Sequence, residues 1–442
     1  MNYSTGIYIY IYIYIYIYIK DRSCSIISLN LKNAKKMENS AEDAEIVIIG
    51  GGICGLATAL ALHRKGIRSL VLERSDKLRA TGAAIIMQAN GWHALDQLGV
   101  ASSLRHTAIP IQRGKTILLS EAEEEKETPL GTSKEFRCLK RADLIKAMAN
   151  NLPVGTIRTS CQVLSIKLDP VTHFQHLTLS NGTILQAKAV IGCDGVNSIV
   201  ASMVGLRPVR FLPLSTCVAR GFTYYPDGHQ FGAEFVMIIK DQVRLGRVPV
   251  SYNLVYWFVT RPSTNQDSTI SKNPVLMRQS LMDSLKDFPA HTVEMIRNCD
   301  MNMLHLTDLK YRPPWDLLLD NFRRGTVTVA GDAMHGTGPF IAQGGAASIE
   351  DAIVLARCLA KKMHNNDANK RVQVEDNTLI EEAFDEYVKE RRMRIFWLSL
   401  NSFLIGKKLD AQSLVVKVII LALIVVLFRD PDWHIHYQCG TL

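Results

Sequence analysis

A run of glycines between two apolar segments constrains the fold of this chain more than any other feature. In EIVIIGGGICGLATALALHRKGIRSLVLERSD, Glu45 to Asp76, a continuous apolar run precedes Gly50-x-Gly52-x-x-Gly55 and a segment rich in small residues. The run predicts a buried parallel strand, and the segment after it a helix packed closely on a sheet. In such a unit Gly50 permits the tight turn, Gly52 lets a pyrophosphate approach, and Gly55 allows close helix–strand packing. The sequence therefore predicts a βαβ unit that binds a dinucleotide.

A second apolar strand, 69–72, ends at Glu73, where an acidic side chain is placed to accept hydrogen bonds from ribose hydroxyls. This favours an unphosphorylated ribose, as in FAD or NAD, and the motif alone does not choose between them. A glycine-rich turn in another kind of α/β unit is the competing interpretation. The agreement of strand, helix, second strand and terminal acid argues against it.

Two further motifs repeat the pattern of a strand that ends in glycine and aspartate. AVIGCDGVNS, residues 189–198, contains Asp194 and Gly195 after an apolar strand. In GTVTVAGDAMHGTGPFIAQGGAASIEDAIVLARCLA, residues 325–360, a strand ends at Asp332, and a glycine pair precedes a helix. Glycines between a strand and a helix predict a backbone cradle for an anion or a carbonyl-rich ring.

The three motifs, in this order and spacing, resemble those of the FAD-dependent aromatic hydroxylases, the class A flavoprotein monooxygenases. The resemblance is strongest to the plant salicylate-hydroxylase-like and 3-hydroxybenzoate 6-hydroxylase-like group. It extends from Glu45 to about Arg394 and includes EFRCLKRADLIKAMA (135–149) and YWFVTRP (256–262).

The resemblance implies an α/β fold with a Rossmann-type FAD-binding domain and an interleaved β-rich substrate domain, as in para-hydroxybenzoate hydroxylase, followed by a helical tail. The FAD-binding domain is expected in two parts, 44–205 and 317–380. The substrate domain is expected at 206–316 and the C-terminal helical segment at 381–442.

The resemblance also assigns residues to FAD. Those expected at its diphosphate and adenosine half are Gly50, Gly52, Gly55, Glu73, Arg74, Arg141 and Val163. Those expected at the ribityl chain and the flavin ring are Asp332, Pro339, Gly344, Gly345 and Ala346, with Asp194 and Gly195 also near the cofactor. Arg141 has an alternative interpretation as a surface arginine of a helix. Ala201 stands where many members have an arginine, and this departure affects the expected interaction with the reductant.

The implied reaction uses NADPH or NADH and O₂ to hydroxylate a small aromatic, phenolic acid-like substrate through a C4a-hydroperoxyflavin. Arg220, on a predicted strand, is a candidate for attracting an acidic substrate or stabilising reduced flavin, or else lies on the solvent face. His335 is a candidate proton relay, or else holds its loop by hydrogen bonds. Two other functions remain open: an FAD oxidoreductase without oxygen insertion, and a catalytically silent flavin-binding regulatory protein.

Composition excludes several other classes. The net charge of +9 is not concentrated in a basic stripe with aromatics, so no nucleic-acid partner is expected. KERRMR, 389–394, is interpreted as a solvated helix face. Nine cysteines without a CxxC pair indicate free thiols in a reducing, cytoplasmic compartment and no metal site.

The two ends of the chain are the least typical of a globular enzyme. Residues 1–43 are interpreted as a spurious or disordered extension, with Met37 as the alternative start of the protein. They include GIYIYIYIYIYIYIK, which an in-frame TATATA repeat would encode. Near the other end, LVVKVIILALIVVLF, residues 414–428, is too short to span a bilayer. It is expected to pack against the substrate domain, with peripheral membrane contact as the next alternative.

Overall fold

The structure is a computed structural model that describes residues 42–78, 84–120, 124–129, 135–211, 216–368 and 376–442. Residues 1–41 of the extension expected at 1–43 lie outside the described residues.

The strands are β1 Glu42–Ile49, β2 Leu70–Leu72, β3 Ala84–Met87, β4 Arg113–Leu118, β5 Glu124–Pro129, β6 Arg137–Lys140, β7 Ile157–Arg158, β8 Val163–Leu168, β9 Gln175–Leu179, β10 Ile184–Gly192, β11 Arg210–Phe211, β12 Thr216–Tyr224, β13 Glu234–Lys240, β14 Val243–Ser251, β15 Leu254–Pro262, β16 His305–Asp308, β17 Lys310–Tyr311, β18 Arg323–Arg324 and β19 Val327–Val329. The helices are α1 Ile53–Arg64, α2 Ala89–Leu98, α3 Ala101–Thr107, α4 Arg141–Ala149, α5 Ile199–Met203, α6 Asp267–Ile270, α7 Pro274–Ser284, α8 Ala290–Arg297, α9 Pro314–Leu319, α10 Gly344–Ala368, α11 Asp376–Asp410 and α12 Leu414–Leu427.

The first sheet is doubly wound, with strand order β18-β19-β10-β1-β2-β7 and the β8–β9 hairpin alongside β10. Strands β19, β10, β1, β2 and β7 run parallel. The three motifs follow β1, β10 and β19, so all of them lie at the carboxyl edge of this sheet, where α/β proteins bind ligands. The predicted Rossmann-type arrangement is confirmed.

The second sheet has the order β16-β12-β15-β14-β13-β4-β5. Strands β4 and β5 come from residues 113–129, which the sequence division placed within the 44–205 part. β4 pairs in parallel with β13 and β5 pairs antiparallel with β4, so these strands complete the edge of the β-rich sheet. Local sequence does not reveal this, because the pairing joins segments more than a hundred residues apart.

The two faces of the second sheet are covered differently. On one face, Trp257 packs in a core with Leu281 of α7 and Met295 of α8. On the other face, Phe222 and Tyr256 pack in a separate cluster with residues of the β3–β6 ribbon. The sheet is therefore a layer between a helical core and the region next to the first sheet.

The predicted helical tail is confirmed, but the expected packing of its last helix is wrong. α12 has no buried residue, and it lies against α11 instead of the substrate domain. Its side chains are apolar on nearly all sides, so no single packing surface could bury them. Within the described part of the chain, every helix falls short of the length and hydrophobicity that crossing a membrane requires.

Candidate functional site

The first glycine cradle is shaped by the backbone around it. Gly50 has φ +107°, a left-handed conformation that favours glycine, and a Cβ there would lie 2.5 Å from the carbonyl oxygen of Cys193. A Cβ on Gly55 would overlap the Gly50 carbonyl oxygen. Gly52 differs, because a Cβ there would find only Nη2 of Arg141, at 3.8 Å. Gly50 and Gly55 are thus required by the protein's own packing, whereas Gly52 leaves open space at the start of α1.

Arg141 is therefore brought to the mouth of this cradle, although 89 positions of sequence separate it from Gly52. It is the first residue of α4, directly after β6. The open space at Gly52, the N-terminus of α1 and the guanidinium together favour binding of a diphosphate. This placement argues against the interpretation of Arg141 as an ordinary surface arginine.

The Glu73 carboxylate supports the same loop. Its Oε2 accepts a hydrogen bond from the Gly51 backbone N–H at 2.8 Å, and Oε1 accepts one from the Ser75 N–H at 2.9 Å. Arg74 is exposed beside it. Val163 is buried at the start of β8, close to Cys161, whose backbone N–H donates to the Glu73 carbonyl. The expected adenosine-side residues therefore lie around one strand end.

Asp194 and Gly195 follow β10 next to the first cradle. The Cys193 N–H donates to the Ile49 carbonyl at 2.7 Å, which joins the two strand ends. Asp194 Oδ2 accepts from the Ile199 N–H, whereas its Oδ1 is buried with no hydrogen-bond partner among the described residues. Burial raises the pKa of the Asp194 carboxyl. A buried acceptor without a partner indicates a missing donor, such as a ligand hydroxyl.

The second cradle lies between β19 and α10. Gly331 has φ +63°, and a Cβ there would lie 2.7 Å from Cβ of Cys54, so this turn packs directly on α1. The Asp332 side chain is 56% exposed, and its Oδ1 would lie 3.9 Å from a Cβ on Gly344. The hydroxyl of Thr337, 3.5 Å from the same Cβ position, is buried without a hydrogen-bond partner in the described structure.

The start of α10 connects this cradle to the second sheet. A Cβ on Gly345 would lie 3.1 Å from Cγ2 of Ile85, on the β3–β6 ribbon. Pro339 is exposed beside the loop. Ala346 is different, because it is 1% exposed and its Cβ faces Gly91 of α2. Only its backbone is therefore available to a ligand at the helix N-terminus.

His335 is completely buried behind the second cradle. Its Nε2 lies 3.0 Å from Asp351 Oδ2, which also accepts from the Gly331 N–H at 2.9 Å. Its Nδ1 lies 4.0 Å from Asp332 Oδ1. With its ring enclosed and its Nε2 beside Asp351, His335 fits the alternative of a residue that holds the loop by hydrogen bonds.

The Asp351 carboxylate is held by an arginine from another helix. Burial by itself raises the pKa of Asp351, but the charge of Arg391 and the hydrogen bonds from His335 and Gly331 lower it to about 2. Arg391 Nε donates to Asp351 Oδ1 at 2.7 Å, and its Nη2 donates to Glu350 Oε2 at 2.8 Å. All of these side chains are fully buried.

The expectation that 389–394 forms a solvated helix face is thus wrong for two of its arginines. Arg391 is 0% exposed and Arg394 is 7% exposed, and both bind Glu350. Burying a charge is costly unless it is paired, and the pair lies on α10. The sequence feature that could have predicted this burial is the pair of adjacent acids, Glu350 and Asp351, inside the apolar run of α10, because buried acids require cationic partners.

The face of the second sheet next to the β3–β6 ribbon is aromatic. The ring of Tyr256 lies 5.4 Å from that of Phe222 and 6.2 Å from that of Phe258. Ala84 and Ile86 of β3 pack in the same cluster, on the opposite side of the strand from Ile85. Because Ile85 touches the start of α10, the β3–β6 ribbon connects this aromatic face with the second cradle and lies between them.

Arg220 lies on the same face of β12. It stands opposite Phe258 on β15 and opposite His305 on β16, and directly opposed residues of antiparallel strands point to one face. Its Nη2 donates to Thr307 Oγ1 at 2.8 Å. The structure therefore supports the aromatic-face position of Arg220 and not a position on a purely solvated face.

Two titratable groups beside Arg220 were missed in the sequence. Burial, followed by the charge of Arg220, lowers the pKa of His305, and its Nε2 is buried with no hydrogen-bond partner in the described residues. Burial raises the pKa of Tyr256 to about 12, so its phenol stays protonated. Strand periodicity would have placed both residues on the Arg220 face, had the register been known.

Trp257, in the segment YWFVTRP, points to the opposite face of the sheet. It is buried in the helical core, where its Nε1 donates to Thr223 Oγ1. Among the described residues there is no cluster of three or more His, Cys, Asp or Glu side chains suited to a metal ion, and the eight described cysteines are free.

The donor set fits FAD. Two cradles at one sheet edge offer open space at Gly52, a buried acceptor on Asp194, an exposed carboxylate on Asp332 and two helix N-termini. A dinucleotide needs these features at its phosphates, its hydroxyls and its ring. The two cradles are adjacent, since Gly331 packs on Cys54 of α1.

Comparisons with known proteins agree with this geometry. The family described as "FAD binding domain" matches residues 43–373. Monooxygenase 1 of Arabidopsis thaliana is 45% identical over 406 residues, which cover 91% of this chain and 100% of that protein. The 3-amino-4-hydroxybenzoate 2-monooxygenase of Streptomyces cremeus is 27% identical over 72% of this chain and 79% of its own length.

The solved structures agree in fold. The crystal structure of Klebsiella pneumoniae HpxO complexed with FAD and uric acid matches with a TM-score of 0.71 at 21% identity. The match covers 89% of this chain and 96% of that one. At this identity, the likeness concerns the arrangement of the two sheets and the helices.

Proposed function

Because this chain belongs to the FAD binding domain family, that of the class A flavoprotein monooxygenases, we propose that it hydroxylates a small aromatic, phenolic acid-like substrate. The reaction takes one oxygen atom from O₂ and electrons from NADPH or NADH. The relative that is named for an amino-hydroxybenzoate, an aromatic acid, supports this substrate class.

The observation that carries the proposal is the Arg220 guanidinium on an aromatic face of the second sheet, which the β3–β6 ribbon connects with the second cradle. Aromatic rings favour a flat apolar substrate, and Arg220 favours a carboxylate or phenolate at its edge. Its hydrogen bond from Nη2 to Thr307 Oγ1 uses a single N–H, and a guanidinium has five. A planar acid can therefore be bound and oriented by the remaining donors.

The first cradle, with Arg141, is proposed to hold the diphosphate, and Asp332 the ribityl chain. The N-terminus of α10 at Gly344 and Gly345 is proposed to lie against the flavin ring. FAD supplies the oxygen-activating chemistry after reduction by NADPH or NADH.

His305 and Tyr256 are proposed to manage the substrate's proton. The lowered pKa of His305 keeps its imidazole neutral at physiological pH, so its unpaired Nε2 can accept a phenolic proton. The raised pKa of Tyr256 makes its phenol a hydrogen-bond donor and not a base. A more electron-rich phenolate is the better substrate for an electrophilic oxygen.

The test is a screen of phenolic acids for stimulated NAD(P)H oxidation, with mass analysis of the product formed under isotopically labelled dioxygen. The proposal expects a product that is heavier by one labelled oxygen. Reductant oxidation with no labelled product would support an oxidoreductase without oxygen insertion. Bound flavin with no reductant turnover would support the regulatory alternative.

The Arg220→Gln variant tests the binding role. We expect KM for the acidic substrate to rise roughly tenfold or more with flavin content unchanged, because a charge-assisted hydrogen bond is lost. The matched control is Arg113→Gln, on β4 near the opposite edge of the same sheet. The binding role fails if the two variants have the same KM.

A further inference from the structure

α12 exposes more apolar surface than any other helix in the described structure. Ten of its large apolar side chains are 42–75% exposed: Leu414, Val415, Val416, Val418, Ile419, Leu421, Leu423, Val425, Val426 and Leu427. Apolar surface of this extent marks an interaction site in a folded protein. It plays no part in the catalytic site described above.

The shape of this surface indicates what covers it. At 100° per residue, the exposed side chains occupy roughly 240° of the helix circumference. Ile420 and Ile424 occupy the remaining side, together with Lys417, the one charged residue of the helix. A partner helix covers a stripe of about 100° and would leave most of the surface in water. A fluid apolar phase covers all of it.

The charges just before α12 point to the same partner. Lys407 and Lys408 lie in the last turn of α11, and the acid nearest to them, Asp410, is already bound by Arg244 at 3.3 Å. At the other end, the charge of Arg429 is offset by Asp430, which follows it directly. The N-terminal end of the helix thus presents cations, which complement the anionic headgroups of a membrane leaflet.

The far end of α12 is fixed to the body of the protein by an aromatic cluster. The ring of Phe428 lies 5.9 Å from that of Trp397 and 5.6 Å from that of Trp433. The 14 residues of α12 measure about 21 Å, less than the ~30 Å of a bilayer core. The helix is therefore long enough to enter a single leaflet and too short to cross both.

We infer that α12 inserts into one leaflet of an anionic membrane and holds the enzyme at the lipid surface. This inference is independent of the residues that hold the cofactor.

Vesicle sedimentation of the full chain tests the inference. We expect the protein to sediment with phosphatidylcholine vesicles that contain phosphatidylserine, and less with phosphatidylcholine alone. The triple variant Val415→Asp, Ile419→Asp and Val426→Asp is expected to bind roughly tenfold or more weakly, because charges are introduced into the inserted surface. Lys407→Gln with Lys408→Gln is expected to reduce the dependence on phosphatidylserine.

The matched control places the same three charges on other exposed apolar residues, Leu164, Leu168 and Val171, which are 58%, 57% and 83% exposed. This variant is expected to bind vesicles like the parent. Flavin content reports whether each variant is folded. The inference is overturned if the parent stays in the supernatant, or if both triple variants bind equally. A third result would also overturn it: the parent binds no vesicles and is a dimer, and the α12 variant dissociates this dimer whereas the control does not. A second copy of the chain would then be the partner that covers α12.

Discussion

The two glycine cradles are built in different ways. The first loop is held by its own glycines and one carboxylate: Gly50 and Gly55 touch, and Glu73, 22 residues from Gly51, binds the loop. The second is held through a buried ion pair, since Asp351, 20 residues from Gly331, binds the turn and is itself held by Arg391, 40 residues further along. A cofactor site can thus combine one half determined by local geometry with another determined by buried ion pairs.

The largest expected effect comes from removing the distant support of the second cradle. Arg391→Met leaves Glu350 and Asp351 buried without their main cation, and loss of one partner of a buried pair costs about 3–5 kcal/mol of unfolding free energy. Chemical denaturation measures this loss. Lys389→Met, at an exposed position of α11, is the control and is expected to change stability by under about 0.5 kcal/mol. Equal stability of the two variants would remove the distinction between the cradles.

The next largest effect separates two glycines of the first cradle. Gly52→Val is expected to give folded protein that retains no flavin, because its side chain enters the open space and excludes the pyrophosphate. Gly55→Ala is expected to lower stability directly, since its Cβ overlaps the Gly50 carbonyl. Flavin absorbance and thermal unfolding distinguish the two. A Gly52→Val protein that stays yellow contradicts the assignment.

A smaller effect is expected at the second cradle. Asp332→Ala is expected to weaken FAD binding by about 1.5–3 kcal/mol, the contribution of a hydrogen bond to a charged acceptor. Because the Asp332 side chain is 56% exposed, the stability of the flavin-free protein should hardly change. Titration with FAD and denaturation without it measure the two quantities. A large loss of stability without flavin would mean that Asp332 supports the fold.

The smallest effect concerns pH. The pKa of Asp351 falls on folding from 3.8 to about 2, so its ionised form stabilises the protein above about pH 4, and this contribution is lost as pH falls toward 2. We expect the stability advantage of the parent over Asp351→Asn to shrink by about 1 kcal/mol between about pH 6 and about pH 3. Urea unfolding at both pH values measures it. A constant difference would assign Asp351 a role independent of charge.

The same contrast explains what the sequence could predict. The sequence predicts that Gly50, Gly52, Gly55 and Glu73 meet in one loop, because a βαβ unit is a local pattern with a fixed steric logic. Arg391 was misassigned as solvated, because its partner lies on another helix and only the tertiary structure pairs them. The local periodicity of the sequence gives no information about such a pairing between helices.

The substrate side follows the same rule. Arg220 was recognised as a candidate, whereas His305 was not, because it reaches Arg220 only through the pairing of β12 with β16. The expected packing of α12 failed for a related reason. Apolar composition indicates that a surface avoids water, and it does not say whether protein or lipid covers that surface.

The central claim is that the two cradles bind the two halves of one FAD. The most direct test is fluorescence titration of flavin-free parent, Gly52→Val and Asp332→Ala proteins with FAD. The account predicts one FAD per parent chain, no saturable binding by Gly52→Val, and roughly tenfold to hundredfold weaker binding by Asp332→Ala. Equal affinity in all three proteins would contradict it.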